Sequence, residues 1–193
     1  MKLILASASR DKAALLRAAG FTFEAMSPGV ENEIDVEETP DGYVRRMARL
    51  KCDAVYGAAG DDTAVLGAAT VVIAEGRVLG APADAGDARR MLRMLSGREH
   101  TVLTAVCLTY VVEGVRQSHT RVDRTVIELA VLSETEVDWY LRTGEPMTRA
   151  GAFSMQGPGS RFAVRIAGSP ANAMGLPVSV VYELCVAAGM TLT

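Results

Sequence analysis

The sequence contains few of the residues that build disulfide frameworks and metal centres. Its 193 residues include three cysteines, Cys52, Cys107 and Cys185, which are widely spaced, odd in number and without a Cys-x-x-Cys pair. This pattern argues against a disulfide framework or a zinc knuckle, and predicts core thiols in a reducing cytoplasm. The two histidines, His100 and His119, lie far apart without metal-ligand spacing, so each is expected to be hydrogen-bonded or exposed.

Long apolar runs and a strong charge imbalance are also absent. No stretch of ~18 residues is both uncharged and apolar enough to cross a membrane, and the N-terminal MKLILASAS is too short to do so. That segment therefore predicts a first strand and neither a membrane span nor a signal peptide. The net charge of −3 gives the chain no overall attraction for nucleic acid or anionic membranes, so any phosphate binding has to be local.

What the sequence does contain is the composition of an ordinary globular protein. Apolar residues make up 49% of the chain and charged residues 22%, and a chain of this length can bury a substantial core. The sequence shows no repeat, linker or low-complexity tract. We therefore expect a single domain over residues 1–193, located in the cytoplasm.

Strand and helix patterns alternate along the chain. Strands are predicted at 2–6, 21–28, 64–73, 77–81, 100–112 and 118–131. Helices are predicted at 11–20, 40–59, 84–95, 133–144 and 178–189. The two long strands are expected to form a hairpin near Glu113 and Gly114, and residues 151–177 predict loops and short strands. Together these elements predict an α/β fold with a mixed, twisted sheet and flanking helices.

The segment LASASRDKAALL predicts a local anion site. A strand leads through Ser7 and Ser9 into a helix, where hydroxyls and unpaired N–H groups meet the positive end of the helix dipole. Arg10 and Lys12 favour phosphate at this position, whereas Asp11 stabilises the helix but repels a phosphate unless a cation lies between them. A serine that only caps the helix gives the same pattern, so both interpretations stay open.

An acidic segment follows in ENEIDVEETP. Glu31, Glu33 and Asp35 offer the hard oxygen ligands that magnesium prefers, beside substrate phosphates and water. A solvated loop is the alternative interpretation of the same residues.

Several motifs in fixed order are far more specific than any one of them. They are LASAS, VLGAATVV, VLGAPADAGDARRMLRMLSGREHTVLTAV, TGEPMTRAGAFSMQGPG and AGSPANAMGLP. Together they resemble the Maf family of nucleoside triphosphate pyrophosphatases over nearly the whole chain. The resemblance implies two lobes around a central cleft, a homodimer, and hydrolysis of a nucleoside triphosphate to the monophosphate and diphosphate with a divalent cation, Mg or Mn. Known members act on dTTP and UTP or on modified nucleotides.

The same resemblance exposes departures at usual site positions. The family usually has Gly-Ala-Asp-Thr where this chain ends in Ala69 and Thr70, and Lys-Pro where it has Ala81 and Pro82. The usual Ser-Pro-Arg-Arg is Ser9-Arg10-Asp11-Lys12 here. An acidic pair reads Glu31-Asn32, and an Asp-Lys pair reads Thr148-Arg149. An aspartate and a lysine are thus both replaced by methyl side chains.

The resemblance assigns roles to the positions that remain. It implies catalytic roles for Lys51 and Gln156, and metal binding by Glu31. Substrate binding is implied for Ser7, Ser9, Arg10, Lys12, Thr70 and Arg149. Two hypotheses follow: an altered or slower pyrophosphatase in which Asp11 replaces the lost carboxylate of position 69, or a catalytically inactive protein that binds nucleotide or serves as a dimeric scaffold.

Overall fold

The computed structural model describes residues 1–30, 38–60 and 62–190. Within these ranges the strands are β1 Lys2–Ala6, β2 Glu24–Met26, β3 Thr63–Ala74, β4 Arg77–Leu79, β5 Glu99–Val112, β6 Val115–Leu129 and β7 Ala163–Ala167. The α-helices are α1 Arg10–Ala18, α2 Pro40–Ala59, α3 Ala85–Leu95, α4 Glu134–Arg142, α5 Pro170–Ala173 and α6 Val178–Ala187. Short 3₁₀ helices occupy Glu145–Thr148, Ala150–Ala152 and Gly157–Phe162. None of the helices in the described ranges is long and apolar enough to cross a membrane.

The strands form one mixed sheet, as predicted. Their order is β2-β1-β3-β5-β6-β7, and β4 pairs with β3 beside this path. β1 runs parallel to both β2 and β3, whereas the pairs β3–β4 and β6–β7 are antiparallel. The expected hairpin is confirmed, because β5 and β6 are neighbours joined by Glu113 and Gly114, which both have positive φ angles.

Local capping explains where the helices begin. Ser9 accepts a hydrogen bond from the Lys12 N–H at the start of α1, and Thr39 accepts one from the Gly42 N–H at the start of α2. Helix α2 spans the predicted residues. Pro40 lies in its first turn, where the backbone N–H that proline lacks would have no acceptor within the helix. At α4, Ser133 caps the helix as predicted and completes a reciprocal capping box.

Two predicted strands are shorter in the structure. β2 covers three residues of the expected 21–28, because the preceding Phe21 N–H bonds to Leu16 O and its ring packs against the core. β4 ends at Leu79, since Gly80 O accepts the Gly151 N–H outside the ladder. Both predictions were therefore right in type and too long in extent.

The chain divides into two compact units. The first comprises the described residues within Met1–Ala69, Thr104–Asp123 and Gly175–Thr193, and its core packs β1, α1 and α6 around Leu5, Leu16 and Leu108. The second comprises Thr70–Leu103 and Arg124–Met174. Its core joins α3, α4 and the 3₁₀ segments around Leu92, Ile127 and Tyr140. Each core is apolar and close-packed, which fixes the elements that carry polar side chains.

Candidate active site

A serine turn connects β1 to α1 in the first unit. The Ser9 N–H donates to Ser7 Oγ at 3.1 Å, and the Lys12 N–H donates to Ser9 Oγ at 3.4 Å. Because both hydroxyl oxygens accept backbone N–H groups, their positions are fixed while each keeps an O–H to donate. The turn therefore presents donors at the positive end of the α1 dipole, as an anion site requires. The capping role of Ser9 is also confirmed.

Two lysines lie beside this turn. Lys12 is half-buried in the first turn of α1, and Lys51 of α2 donates from Nζ to Ala68 O at 3.4 Å. Burial lowers the pKa of Lys51 below its usual value. Burial and the neighbouring charge of Lys51 lower the pKa of Lys12 to about 8. Two ammonium groups that repel each other and have lost water are stabilised by an anion placed between them.

The remaining N-terminal candidates have different surroundings. Arg10 is exposed, and Asp11 is half-buried in the first turn of α1, where a carboxylate is favourable to the helix dipole. The role of Asp11 as a replacement catalytic carboxylate stays a prediction. Ala69 is 4% exposed in β3, and its correspondence to the family's usual aspartate stays a prediction.

The other predicted residues belong to the second unit. Thr70 is half-buried in β3, and Ala81 is exposed after β4. Gln156 is half-buried; its side-chain N–H donates to Met174 Sδ at 3.3 Å and its backbone N–H to Ser154 Oγ at 3.1 Å. Arg149 is half-buried between two 3₁₀ helices. Their functional roles stay predictions.

A carboxylate hub that the sequence did not reveal organises this second group. Glu145 Oε2 accepts hydrogen bonds from the Tyr140 hydroxyl at 2.7 Å and from the Gly159 N–H at 2.9 Å. The Tyr140 hydroxyl in turn accepts the Ser154 N–H at 3.2 Å. Burial and the Glu145 carboxylate raise the pKa of Tyr140. The hub thus ties α4 to the segment that carries Gln156, and the Tyr140–Glu145 spacing has no recognisable motif that predicts it.

The expectation for His100 is wrong. The ring is 3% exposed, and within the described residues neither nitrogen has a hydrogen-bond partner. It lies edge-on to Phe153 at 5.8 Å, and burial lowers its pKa to about 4. His119 is exposed, as expected. His100 is buried because side chains alternate across β5, so that it shares a face of the strand with Val102, a member of the second core.

The described residues do not assemble a divalent-metal site. They contain no group of three or more His, Cys, Asp or Glu side chains suited to holding an ion. Glu31, the predicted ligand, and its neighbours Glu33 and Asp35 lie outside the described residues. Beside the serine turn, the described residues place one carboxylate, that of Asp11, together with the ammonium groups of Lys12 and Lys51.

The fold and this site define the class of protein. A mixed α/β sheet whose first strand leads through a serine turn to a helix N-terminus beside two lysines is an arrangement suited to polyanionic ligands. The family model described as "Maf-like protein" matches residues 2–188. The chain belongs to this family.

Curated relatives cover nearly the whole chain. The dTTP/UTP pyrophosphatase of Anaeromyxobacter dehalogenans is 41% identical over 191 residues, which are 99% of this chain and 96% of that protein. The dTTP/UTP pyrophosphatase of Syntrophus aciditrophicus is 42% identical over 182 residues, 94% of this chain and 87% of that protein. Among solved structures, the Staphylococcus aureus Ham1 protein is similar at a TM-score of 0.49 and 10% identity, over 97% of this chain and 100% of that one.

Proposed function

We propose that this chain binds a nucleoside triphosphate and hydrolyses it to the monophosphate and diphosphate, with dTTP and UTP as the first candidate substrates. Two relatives with more than 40% identity are dTTP/UTP pyrophosphatases. The observation that carries the proposal is the pair Lys12 and Lys51 beside the hydroxyls of Ser7 and Ser9. A triphosphate supplies the concentrated negative charge with which ammonium and hydroxyl groups form charge-assisted hydrogen bonds.

The residues present suggest how the charges are managed. Attack of water on the α-phosphorus forms one P–O bond and breaks the bond to the bridging oxygen, so the diphosphate leaves with the negative charge. Lys12 and Lys51 stabilise that charge, and the O–H groups of Ser7 and Ser9 donate to phosphate oxygens. Asp11 is the proposed acceptor of the water proton. Arg10, Thr70, Arg149 and Gln156 are proposed as further substrate contacts from their family positions.

The altered positions predict a slow enzyme. Losing a general base costs roughly 10²–10⁴-fold in rate, and losing a charge-stabilising group costs roughly 10²–10³-fold. Ala69 stands at the proposed position of the general base and Ala81 at that of the charge-stabilising lysine. The two rate losses do not simply multiply, because residues that act together are not additive in their effects. We also propose the divalent cation that the resemblance implies, Mg or Mn with Glu31 as a ligand. The homodimer is proposed on the same ground. Sedimentation at several protein concentrations tests the homodimer.

One observation favours the alternative, a catalytically inactive nucleotide-binding protein or dimeric scaffold. The Ala69 methyl group is only 4% exposed, so little water reaches the position at which the resemblance implies a catalytic acid. In this alternative the lysine pair binds nucleotide without turnover.

Diphosphate release from a panel of nucleoside triphosphates tests the proposal. The panel is run with magnesium, with manganese and with chelator, and compares the chain with its Asp11→Asn variant and its Ala69→Asp, Ala81→Lys double variant. If the starting chain is active and Asp11→Asn abolishes that activity, the pyrophosphatase in which Asp11 replaces the lost carboxylate is supported. If the starting chain releases no diphosphate and the double variant does, the alternative is supported. If neither protein releases diphosphate, the proposed hydrolysis is contradicted.

A further inference from the structure

Gly67 lies where β3 passes under α2. It is buried in β3, and its Cα partner across the ladder is Ala6, the last residue of β1 before the serine turn. This pairing places Gly67 level with the entry to the candidate phosphate site. Its φ angle lies outside the left-handed region, so the backbone conformation does not by itself demand glycine.

Contact with the helix backbone does demand it. A Cβ atom at position 67 would overlap Ala48 O, and would lie 2.9 Å from Cys52 Sγ and 3.1 Å from Cys52 N. Both helix residues are fully buried, and the Cys52 thiol donates to Val65 O at 3.2 Å. The carbonyl of Ala48 and the N–H of Cys52 are backbone atoms, so no side-chain rotation relieves the overlap. A strand glycine at such a point marks close approach of another backbone.

Lys51 lies between those two contacts on α2. Because the helix backbone rests on Gly67, the Lys51 side chain reaches the carbonyl of Ala68, the next residue of β3, at 3.4 Å. Lys51 is also close enough to Lys12 for its charge to contribute to the lowered pKa of Lys12. The sequence retains this glycine although the acid two positions later is replaced by Ala69.

We propose that Gly67 is the positioning residue of the phosphate site: by letting the backbones of β3 and α2 touch, it places the Lys51 ammonium beside the serine turn and Lys12. The inference rests on the proposed function for its catalytic consequence, but the placement of Lys51 is measurable without any nucleotide. An alanine at position 67 forces helix and strand apart by roughly 1 Å to restore van der Waals contact. Misplacement of this size can cost about 10²-fold in rate.

The lysine content of the chain makes the placement directly observable. Lys2, Lys12 and Lys51 are its three lysines, so side-chain NMR of ¹³Cε-labelled lysine shows three titrating resonances, assigned with Lys51→Arg. Lys2 is exposed and serves as the internal reference. In Gly67→Ala, Lys51 moves into water, and its pKa and that of Lys12 rise toward their ordinary values. The matched control is Gly57→Ala on the same helix, where an added Cβ has no atom within 4 Å. It leaves all three titrations unchanged.

A second pair of variants probes the contact from the helix side. Cys52→Val enlarges the side chain that faces Gly67, and Cys52→Ser nearly preserves its size. Cys52→Val is expected to shift the Lys51 titration in the same direction as Gly67→Ala, and Cys52→Ser to leave it near that of the starting chain. This pair decides the question where Gly67→Ala does not fold.

Activity separates the two levels of the proposal. If Gly67→Ala or Cys52→Val shifts the Lys51 titration and lowers kcat/KM about 100-fold, both the positioning and the role of Lys51 are supported. If the titration shifts but nucleotide turnover and affinity do not change, the positioning stands and the proposed function of Lys51 fails. An unchanged Lys51 titration in a folded Gly67→Ala protein overturns the positioning role.

Discussion

The buried, unpartnered ring of His100 predicts a measurable loss of stability in mild acid. In the folded protein its pKa is lowered to about 4 from an ordinary 6.5 because the ring is buried. The unfolded chain therefore binds a proton near pH 6.5 that the folded chain resists until about pH 4. Stability from this residue is complete above pH 6.5, falls as the pH decreases from 6.5 to about 4, and stops falling below that point.

The size of the effect follows from the difference between the two pKa values. A gap of 2.5 units corresponds to roughly 3 kcal/mol in total, of which about 2 kcal/mol is lost between pH 7.5 and pH 5. Urea unfolding at these two pH values measures it. His100→Leu, similar in volume and without a titrating group, is expected to show a pH dependence smaller by about 2 kcal/mol.

The exposed His119, changed to Gln, is the control for a general loss of one histidine. If the starting chain and His100→Leu lose the same free energy of unfolding between pH 7.5 and pH 5, the burial argument for His100 is refuted. The same result from His119→Gln and His100→Leu, with both smaller than the starting chain, also contradicts it.

Three further predictions concern the sites. Nucleotide affinity should fall as the pH rises through about 8, because Lys12 then loses its charge. Titration calorimetry should find no such fall in Lys12→Arg. The same pH dependence of affinity in Lys12→Arg and in the starting chain would contradict the role of Lys12. Glu145→Gln should destabilise by about 1.5–3 kcal/mol, since it weakens charge-assisted bonds from Tyr140 and Gly159, and a denaturation midpoint equal to that of the starting chain would disprove the hub. Ser9→Ala should cost about 1 kcal/mol by removing the α1 cap; calorimetric melting measures this, and no change in melting would mean that the cap is replaced by water.

Most of the fold could be predicted because short-range signals set it. The caps at Ser9 and Ser133 and the glycine turn at Gly114 act within a few residues, and each appears where the pattern placed it. Strand length was less predictable. β2 and β4 end early because of contacts with residues that are neighbours only after folding, such as Gly151.

In the candidate site, too, the features set by local sequence could be predicted and those set by contacts between distant segments could not. The serine turn and Lys12 belong to one local motif and could be placed from the sequence. The contact of Gly67 with Ala48 O, the Tyr140–Glu145 hub and the burial of His100 depend on packing between separate segments. Gly67 and Glu145 lie in motifs that carry the family resemblance, but nothing in the spacing of these residues encodes the packing in which they take part.

Binding of dTTP and UTP to the starting chain and to Lys51→Met, measured by titration calorimetry at neutral pH with and without magnesium, tests the central claim most directly. The lysine pair predicts binding by the starting chain and an affinity roughly 10- to 100-fold lower in Lys51→Met, the range expected for losing a charge-assisted contact. Equal affinities in the two proteins, or no binding by the starting chain under either condition, would contradict a phosphate site at Lys12, Lys51 and the serine turn.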